Sequence, residues 1–405
     1  MVLPLHTQAD IRGVRGVAIR KVLTVEEATG TPFDLDRCLL WRGTEAGSNR
    51  AAANAAWGGQ IAVRKSSNSP VTGIEVSQIR HPDVVAPGDV VRLEENSSRV
   101  SVLYRRGSNS NTLLATERCN SLCLMCSQPP RDIDDRYLVD EMLETILLVD
   151  RDEPQLGISG GEPTLLGDDL IVVLLHAHRH LPGTGLHVLS NGRRFADQGY
   201  AQRIAAVRHP NVTWGIPVYS DSPDIHDYIV QARRAWTETI AGLFNLARVG
   251  ADIEIRVVVQ RANYRRLPEL AYFIFRNLTF VRHVAFMGLE PIGFAPANRD
   301  SIWVDPVECA VPLHEATFFL ANRGMDVSLY NFPLCTLREE LWGFARRSIS
   351  DWKNTFLPRC SQCLVQDKCC GFFKTIGSRW LSRAVRPITE IGVTRPKSGE
   401  MTHGC

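Results

Sequence analysis

The hydrophobic pattern changes character once along the chain, after Asn111. Before that point apolar residues come in short runs. Gly16-Val17-Ala18-Ile19 and Gln60-Ile61-Ala62-Val63 are two of them, set apart by Gly, Pro, Asn and Ser. The run from Pro87 to Leu93 starts on a Pro-Gly turn and continues as a strand. Arg99-Val100-Ser101-Val102 alternates with the two-residue period of a half-buried strand, and Leu103-Tyr104 extends it. Residues 1–108 therefore read as a small β-rich domain, followed by a polar linker, Gly107-Ser108-Asn109-Ser110-Asn111.

Beyond the linker, strands and helices take turns. The pattern predicts a strand over Thr112–Thr116, then a helix from about Val139 to Val149 that opens with acidic residues. Further strands are predicted over Gln155–Ile158, Leu186–Leu189, Val212–Val218, Ile253–Val259 and His283–Leu289. Between and after them, helices are predicted over Leu170–His178, to the end of Gln202–Val207, and over Trp236–Val249, Leu267–Leu278 and Val307–Asn322. Six strand–helix alternations in about 210 residues call for an α/β fold with a parallel sheet and helices outside it. Six units suit an open or partial (β/α)6 barrel better than a closed eight-fold one. In such folds reactive groups sit at the carboxyl ends of the strands.

Three unusual loops fall at those ends. The first is Cys119-Asn120-Ser121-Leu122-Cys123-Leu124-Met125-Cys126. Three thiolates in one tight loop can hold three corners of a cuboidal iron–sulfur cluster and leave one iron open to a small ligand. A zinc knuckle would need a fourth ligand, which the loop lacks. The second loop is Gly160-Gly161-Glu162-Pro163. Two glycines allow close backbone approach to a ligand, and Glu162 could accept hydrogen bonds from an ammonium group, with Pro163 fixing the chain behind it. The plain alternative is a strand-to-helix turn with a capping carboxylate. The third loop carries Ser190 and Asn191, suited to a ribose or carboxylate, or equally to a helix cap. Arg256 in an apolar strand could hold a carboxylate, or simply lie on an edge strand.

Composition narrows the setting. The 44% apolar and 22% charged residues are ordinary for a globular protein, and a net charge of +2 argues against a dedicated nucleic-acid binder. No apolar run is long enough for a membrane span, and Met1 to Arg20 lacks the apolar core of a secretion signal. A cytoplasmic location follows, and there eleven cysteines point to metal ligation rather than disulfides. A second group comprises Cys335, Cys360, Cys363, Cys369 and Cys370, with a helix expected over Leu337–Arg347 to fold Cys335 back. Four thiolates there could bind zinc or a second cluster. Cys38 reads as a buried thiol, Cys309 and Cys405 have no partners in sequence, and His226 and His283 read as ordinary polar or core histidines.

Cys119-x3-Cys123-x2-Cys126 followed by Gly160-Gly161-Glu162-Pro163, both at strand ends, resembles the radical S-adenosylmethionine (SAM) superfamily over residues 110 to 325. The resemblance implies a 4Fe-4S cluster on the three cysteines, with the amino and carboxylate groups of SAM on the fourth iron. Reductive cleavage of SAM would then give a 5′-deoxyadenosyl radical that abstracts hydrogen. It implies Glu162 at the SAM amino group, Ser190 and Asn191 near its ribose or methionyl part, and Met125 near the adenine. Where many members carry Ser-x-Asp after the fourth strand, this chain reads Tyr219-Ser220-Asp221, which keeps only the aspartate in place. The later cysteines are similar to the C-terminal cluster regions of peptide-modifying members, implying an auxiliary 4Fe-4S cluster on Cys335, Cys360, Cys363 and Cys369, or Cys370 in place of Cys369. The stretches Ala115–Asn120, Met287–Pro291, Asn331–Cys335, Ala345–Lys353 and Cys370–Phe373 resemble His-Xaa-Ser system radical SAM maturases of the HxsC type. That implies a ribosomally made His-Xaa-Ser repeat peptide as substrate, a second radical SAM maturase as partner, and an electron donor such as flavodoxin or ferredoxin. An exposed edge of the N-terminal sheet could hold the peptide by strand addition. A small-molecule substrate, or a non-catalytic Fe–S partner protein, stays open beside this reading. The expected domains are 1–108 (β-rich), 109–325 (radical SAM core), 326–378 (auxiliary cluster region) and 379–405 (tail). No catalytic base is identified.

Overall fold

Eight short strands from the first part of the chain pair into one mixed sheet. They are β1 (His6–Gln8), β2 (Asp10–Arg12), β3 (Val17–Leu23), β4 (Cys38–Trp41), β5 (Gly59–Ile61), β6 (Ile74–Ser77), β7 (Val90–Glu94) and β8 (Arg99–Tyr104). A four-residue helix, α1 (Val25–Ala28), follows β3 behind a capping box in which Thr24 and Glu27 exchange hydrogen bonds. The computed structural model describes residues 5–29, 31–43, 57–64, 73–347 and 354–390. Cys405, the tail beyond residue 390, residues 1–4 of the expected β-rich domain and residues 348–353 of the Ala345–Lys353 stretch lie outside the described residues.

The strand order is β1-β8-β7-β3-β4-β5-β6-β2, which places two consecutive strands at opposite ends. β1 runs antiparallel to β8 with Thr7 opposite Val100, and β2 runs antiparallel to β6 with Ile11 opposite Val76. Only Ala9 separates them, so one segment bonds to both ends of the sheet and closes it. Val22, Leu39, Ile61, Val76, Val91 and Val100 fill the interior, each fully buried. Among the described residues β1 and β2, the end strands of this sheet, are three residues long and each pairs with one neighbour.

The expected linker is a clamped turn. Asn111 accepts from the Arg105 N–H at 2.9 Å and donates to the Arg105 carbonyl at 2.9 Å, the self-bonding habit that favours Asn in turns. Past it, eight strands form a second sheet in which every neighbouring pair is parallel. They are β9 (Thr112–Leu114), β10 (Gln155–Ser159), β11 (Gly185–Leu189), β12 (Val212–Pro217), β13 (Asp252–Val258), β14 (His283–Met287), β15 (Asp326–Tyr330) and β16 (Ala345–Arg346), in sequence order. β9 and β16 are the free ends, so the barrel is partial, as the alternation implies. The helices are α2 (Tyr137–Leu148), α3 (Asp168–His180), α4 (Gln198–Ala205), α5 (Pro223–Val230), α6 (Ala235–Arg248), α7 (Leu267–Asn277), α8 (Arg299–Ile302) and α9 (Pro306–Ala321). Strand residues alternate between two faces. Ile253, Ile255 and Val257 pack in the large core with the helices, whereas Glu254 and Arg256 on the same strand face the barrel interior.

The sheet runs two strands beyond residue 325. β15 pairs with β14, and β16 pairs Ala345 with Leu329. The helix expected over Leu337–Arg347 is instead a 3-10 turn, Glu339–Phe344, that leads into β16. Gly343 is a poor helix former, and the open side of β15 supplies hydrogen bonds that a lone short helix would not. α5, absent from the sequence reading, is eight residues long with Pro223 at its start.

The two sheets share one buried cation. Lys21 on β3 is fully buried. Its Nζ donates to the Leu148 carbonyl at 2.8 Å, where α2 ends, and to the Gly88 carbonyl at 3.1 Å, and lies 2.9 Å from Asp150. Burial lowers its pKa and the Asp150 carboxylate opposes that. Ion pairs Arg92–Glu141 and Arg37–Glu144 continue the seam along α2.

Candidate active site at the barrel rim

The cysteine loop follows β9 and is held from four sides. Asp135, fully buried, accepts from the Thr116 hydroxyl and the Glu117 N–H at 2.6 Å each and from Arg118 Nε at 3.0 Å, fixing the chain just before Cys119. Burial alone would raise its pKa, but these donors outweigh it and leave it lowered. Arg193, past β11, donates to the Asn120 carbonyl and to the Ser121 hydroxyl, while its Nε holds Glu238 of α6 at 2.7 Å. The N–H groups of Leu122 and Leu124 donate to the Val230 and Ile229 carbonyls at 3.0 and 2.9 Å. Those carbonyls belong to the last turn of α5, whose acceptors lack partners within the helix. On the remaining side Phe294 N–H donates to the Cys126 carbonyl at 2.9 Å and Asn298 Nδ2 to the Leu124 carbonyl at 2.9 Å.

Within this frame Cys119, Cys123 and Cys126 are partly buried neighbours. Burial pushes Cys119 up to about 11 and Cys123 up to about 12, with Glu162 and Cys126 adding to the first rise and Cys126 and Cys119 to the second. Such thiols stay protonated at neutral pH unless a cation binds them, and a coordinating metal removes the proton outright. Among the described residues no three His, Cys, Asp or Glu side chains converge as one metal ion requires. A cuboidal cluster asks for neighbouring thiolates on separate irons instead, and the donor set fits that.

The glycine pair serves this loop directly. Gly160 has φ of +146°, and a Cβ there would overlap the Thr116 carbonyl oxygen. A Cβ on Gly161 would overlap the Arg118 carbonyl oxygen. Gly161 N–H donates to the Thr116 carbonyl at 2.7 Å and Glu162 N–H to the Arg118 carbonyl at 2.8 Å. The close approach read from the sequence is thus made to the protein's own backbone.

Glu162 is fully buried. One carboxylate oxygen accepts from the Thr164 N–H at 3.0 Å, the Thr164 hydroxyl at 2.6 Å and the Ser190 hydroxyl at 2.7 Å. The other accepts from the Asn191 N–H at 2.6 Å and has no further donor among the described contacts. Glu162 therefore caps the turn that begins at Pro163 and also ties the ends of β10 and β11 together. Asn191 in turn donates to the Asn120 side chain at 2.6 Å, joining the third loop to the first. The three loops singled out by the sequence are one hydrogen-bonded unit.

Met125 is buried in an apolar cluster with Tyr219, Ala295 and Ile302, with Gln260 Nε2 at 3.6 Å from its sulfur. Asp221 pairs with Arg266 (Nε at 3.0 Å). His226 is buried, accepts the Tyr219 N–H at its Nδ1 (3.2 Å), and is pushed down to about 4 by burial. Arg256 lies on a central strand, paired on both sides, so the edge-strand alternative falls. Its guanidinium holds Glu254 at 2.5 Å and reaches Met287 sulfur at 3.3 Å. Glu254 also meets His283 at 2.8 Å and His187 at 3.5 Å. Burial would raise the Glu254 pKa, yet the two histidines and Arg256 hold it well below the carboxylate range. His283 thus belongs to a charged group inside the barrel rather than to an ordinary core.

The second cysteine group folds against the same rim. Cys335 follows β15, and Cys369 and Cys360 lie close enough to raise its pKa beyond the effect of burial. Cys369 Sγ accepts from the Leu334 and Gly371 N–H groups at 3.4 Å each, and Cys363 Sγ accepts from Ile388 N–H at 3.5 Å. A hydrogen bond from Cys370 and those two N–H groups bring Cys369 down to about 6. Cys370 is buried and lines a cavity.

Asp135, Arg193 and Glu254 were not singled out in the sequence. Their partners lie far along the chain, and no spacing announces them.

A family model described as the radical SAM superfamily matches residues 113–274. No curated protein matches the chain significantly. Among solved structures the chain is similar to Streptococcus suis SuiB bound to S-adenosylmethionine, with 15% identity, TM-score 0.43, and 54% of this chain on 49% of that one. It is also similar to native anSMEcpe with bound AdoMet (17%, TM-score 0.42, 54% on 62%). A radical SAM methyltransferase from Sphaerobacter thermophilus aligns at 16% identity, TM-score 0.42, 60% on 72%. The chain spans about half the length of the SuiB structure it matches. Over residues 113–274, with the three-cysteine loop at its start and the Gly-Gly-Glu-Pro turn after its second strand, this chain carries a radical SAM superfamily domain.

Proposed function

We propose that the chain is a peptide-modifying radical SAM enzyme with two clusters. Cys119, Cys123 and Cys126 would hold the 4Fe-4S cluster that binds SAM; Cys335, Cys360, Cys363 and Cys369 would hold an auxiliary 4Fe-4S cluster. When bound, the first cluster supplies the electron that cleaves SAM to a 5′-deoxyadenosyl radical. The observation that carries this reading is the hydrogen-bonded unit of three loops at one rim. Glu162 would present its singly bonded oxygen to the SAM ammonium, while Ser190 and Asn191, oriented by that carboxylate, would line the methionyl or ribose side. Arg256, from the barrel interior, and Met125, from the loop, would complete the contacts to SAM. The N–H groups aimed at Cys369 suit a thiolate, which favours Cys369 over Cys370 as the fourth auxiliary ligand. Its place against the rim supports a role in handling a peptide intermediate, with a His-Xaa-Ser repeat peptide as the specific substrate suggested by the sequence resemblance.

The test is anaerobic reconstitution with iron and sulfide. The wild-type chain should bind about eight irons, and Cys123→Ala and Cys335→Ala about four each. With SAM and dithionite, standing in for a flavodoxin or ferredoxin, the wild type should form 5′-deoxyadenosine and Cys123→Ala should not. Mass spectrometry of a His-rich peptide co-expressed with the enzyme should show a mass change. Undiminished 5′-deoxyadenosine from Cys123→Ala would refute the cluster assignment, and an unchanged peptide would refute the substrate class.

A further inference from the structure

Residues 379–405 read as a tail, yet their described part, 379–390, is pinned along its length. Arg299 of α8 donates to the Arg379 carbonyl through Nη2 at 2.6 Å and Nε at 3.2 Å, and its guanidinium lies over the rings of Trp303 and Trp380. A latch follows a few residues on. Asp305, buried at the N-cap of α9, accepts from the Ser382 hydroxyl at 2.5 Å and from the Arg383 N–H at 3.1 Å. Ser382 accepts in turn from the Ala384 N–H at 3.1 Å. The segment is therefore a strap, fastened at two points to the chain around α8 and the start of α9.

Past the latch the strap runs onto the second cysteine group. Arg359 Nη1 donates to the Val385 carbonyl at 3.2 Å, and the Leu364 N–H donates to the Ile388 carbonyl at 2.9 Å. The Ile388 N–H is aimed at Cys363 Sγ at 3.5 Å. The Arg386 backbone lies close enough to Cys335 to oppose the rise that burial gives that thiol. Pro387, between them, fixes the backbone and brings no N–H of its own. Cys369 takes its donors from other segments, the N–H groups of Leu334 and Gly371. An N–H on sulfur is a weak contact while the sulfur is a neutral thiol. It strengthens when the acceptor carries charge, as a metal-bound thiolate does.

We propose that residues 379–388 are the closing wall of the auxiliary cluster site, and that the Ile388 N–H is the donor through which this wall raises the reduction potential of the cluster. This rests on the two-cluster reading above. One-electron reduction adds negative charge to the cluster and its sulfurs, so a donor aimed at a ligating sulfur favours the reduced form. Hydrogen bonds to sulfur are among the protein's levers on such potentials. A raised potential suits a cluster that gains one electron as a substrate intermediate loses one, rather than a cluster that gives an electron to SAM. Ser382 is a positioning residue in this arrangement, because its bond to Asp305 holds the strap that carries the donor.

The test reads each cluster alone in the reconstituted full chain. A Cys123→Ala background leaves the auxiliary cluster, and a Cys335→Ala background leaves the one that binds SAM. Ile388→Pro deletes the N–H and keeps the carbonyl used by Leu364, whereas Ile388→Leu keeps both. Midpoint potentials are measured by dithionite titration, followed through the EPR signal of the reduced cluster. Ile388→Pro should shift the auxiliary reduction equilibrium about ten-fold towards the oxidised form. Ile388→Leu should stay within about two-fold of its parent, and neither change should move the SAM-binding cluster. Ser382→Ala should speed release of the auxiliary irons to a chelator at least about three-fold without affecting those of the SAM-binding cluster, and Ser382→Thr should restore slow release. Loss of iron on Ile388→Pro confined to the Cys123→Ala background would also support the wall. An unmoved auxiliary midpoint in Ile388→Pro, equal shifts in both clusters, or unchanged iron release in Ser382→Ala would each overturn the inference while leaving two clusters in place. A Cys123→Ala chain that binds no iron would remove the two-cluster reading itself, and the inference with it.

Discussion

At the scale of single residues, what organises the rim is a small set of buried polar groups with every donor accounted for. Glu162 has four donors and Asp135 three, and each bridges segments distant in sequence. Glu162 was legible because its tripeptide neighbours are distinctive. Asp135 was not, because nothing separates it from the acidic residues around it except a fold that buries it. His226 gives the clearest pH signature. Its pKa is pushed down to about 4 from an ordinary 6.5, with Asp227 and Arg193 the charged groups that act on it. It is neutral in the folded chain, so its contribution is fully present above about pH 6.5 and is lost as pH falls towards 4, where the unfolded chain takes up the proton first. His226→Asn keeps an acceptor for the Tyr219 N–H and removes the titration. The stability gap between wild type and this variant, measured by urea unfolding, should shrink by about 2 kcal/mol from pH 7 to pH 5. A gap that stays constant with pH would show that His226 is not held neutral by burial.

At the scale of elements, the alternation of strands and amphipathic helices was readable because every second strand residue faces the helices and is apolar, as with Leu156 and Ile158 or Ile253, Ile255 and Val257. The last two strands escaped for the opposite reason. β16 has two residues, and β15 follows a helix where the expected chemistry drew attention to Cys335 instead. Glycines illustrate how a correct residue can carry an incomplete reason. Gly160 and Gly161 do permit close approach, but the neighbour is the backbone entering the cysteine loop. Gly161→Ala should therefore push β10 away from that loop and cost about 1–3 kcal/mol. The same variant should retain less iron after reconstitution, although it lies 35 or more residues past the cysteines. Wild-type stability and iron content in Gly161→Ala would show that the contact is dispensable.

At the scale of the whole molecule, the N-terminal sheet and the barrel are joined by Lys21, a fully buried lysine from one seated on the C-terminal carbonyl of a helix in the other. Composition foretold two regions but not this seam, since a lysine in a strand reads as a solvated edge. Lys21→Ala leaves the Leu148 and Gly88 carbonyls without this donor and Asp150 with Arg106 and the Tyr104 hydroxyl. It should destabilise the chain by about 3–5 kcal/mol and expose the Arg105–Asn111 turn to limited proteolysis. Lys21→Met, which keeps the stem, should lose less. Equal protease resistance of wild type and Lys21→Ala would argue that the seam is held elsewhere. The closure of the N-terminal sheet has a temporal side as well. Thr7 pairs with Val100, its partner far downstream, so on a ribosome adding about 5–20 residues per second the first strands wait roughly 5–20 s before their seat exists. During that interval the segment 5–12 is an unmatched β-strand emerging ahead of everything it will bind, which makes it the natural foothold for a chaperone and the place where slowed or hurried translation would first be felt.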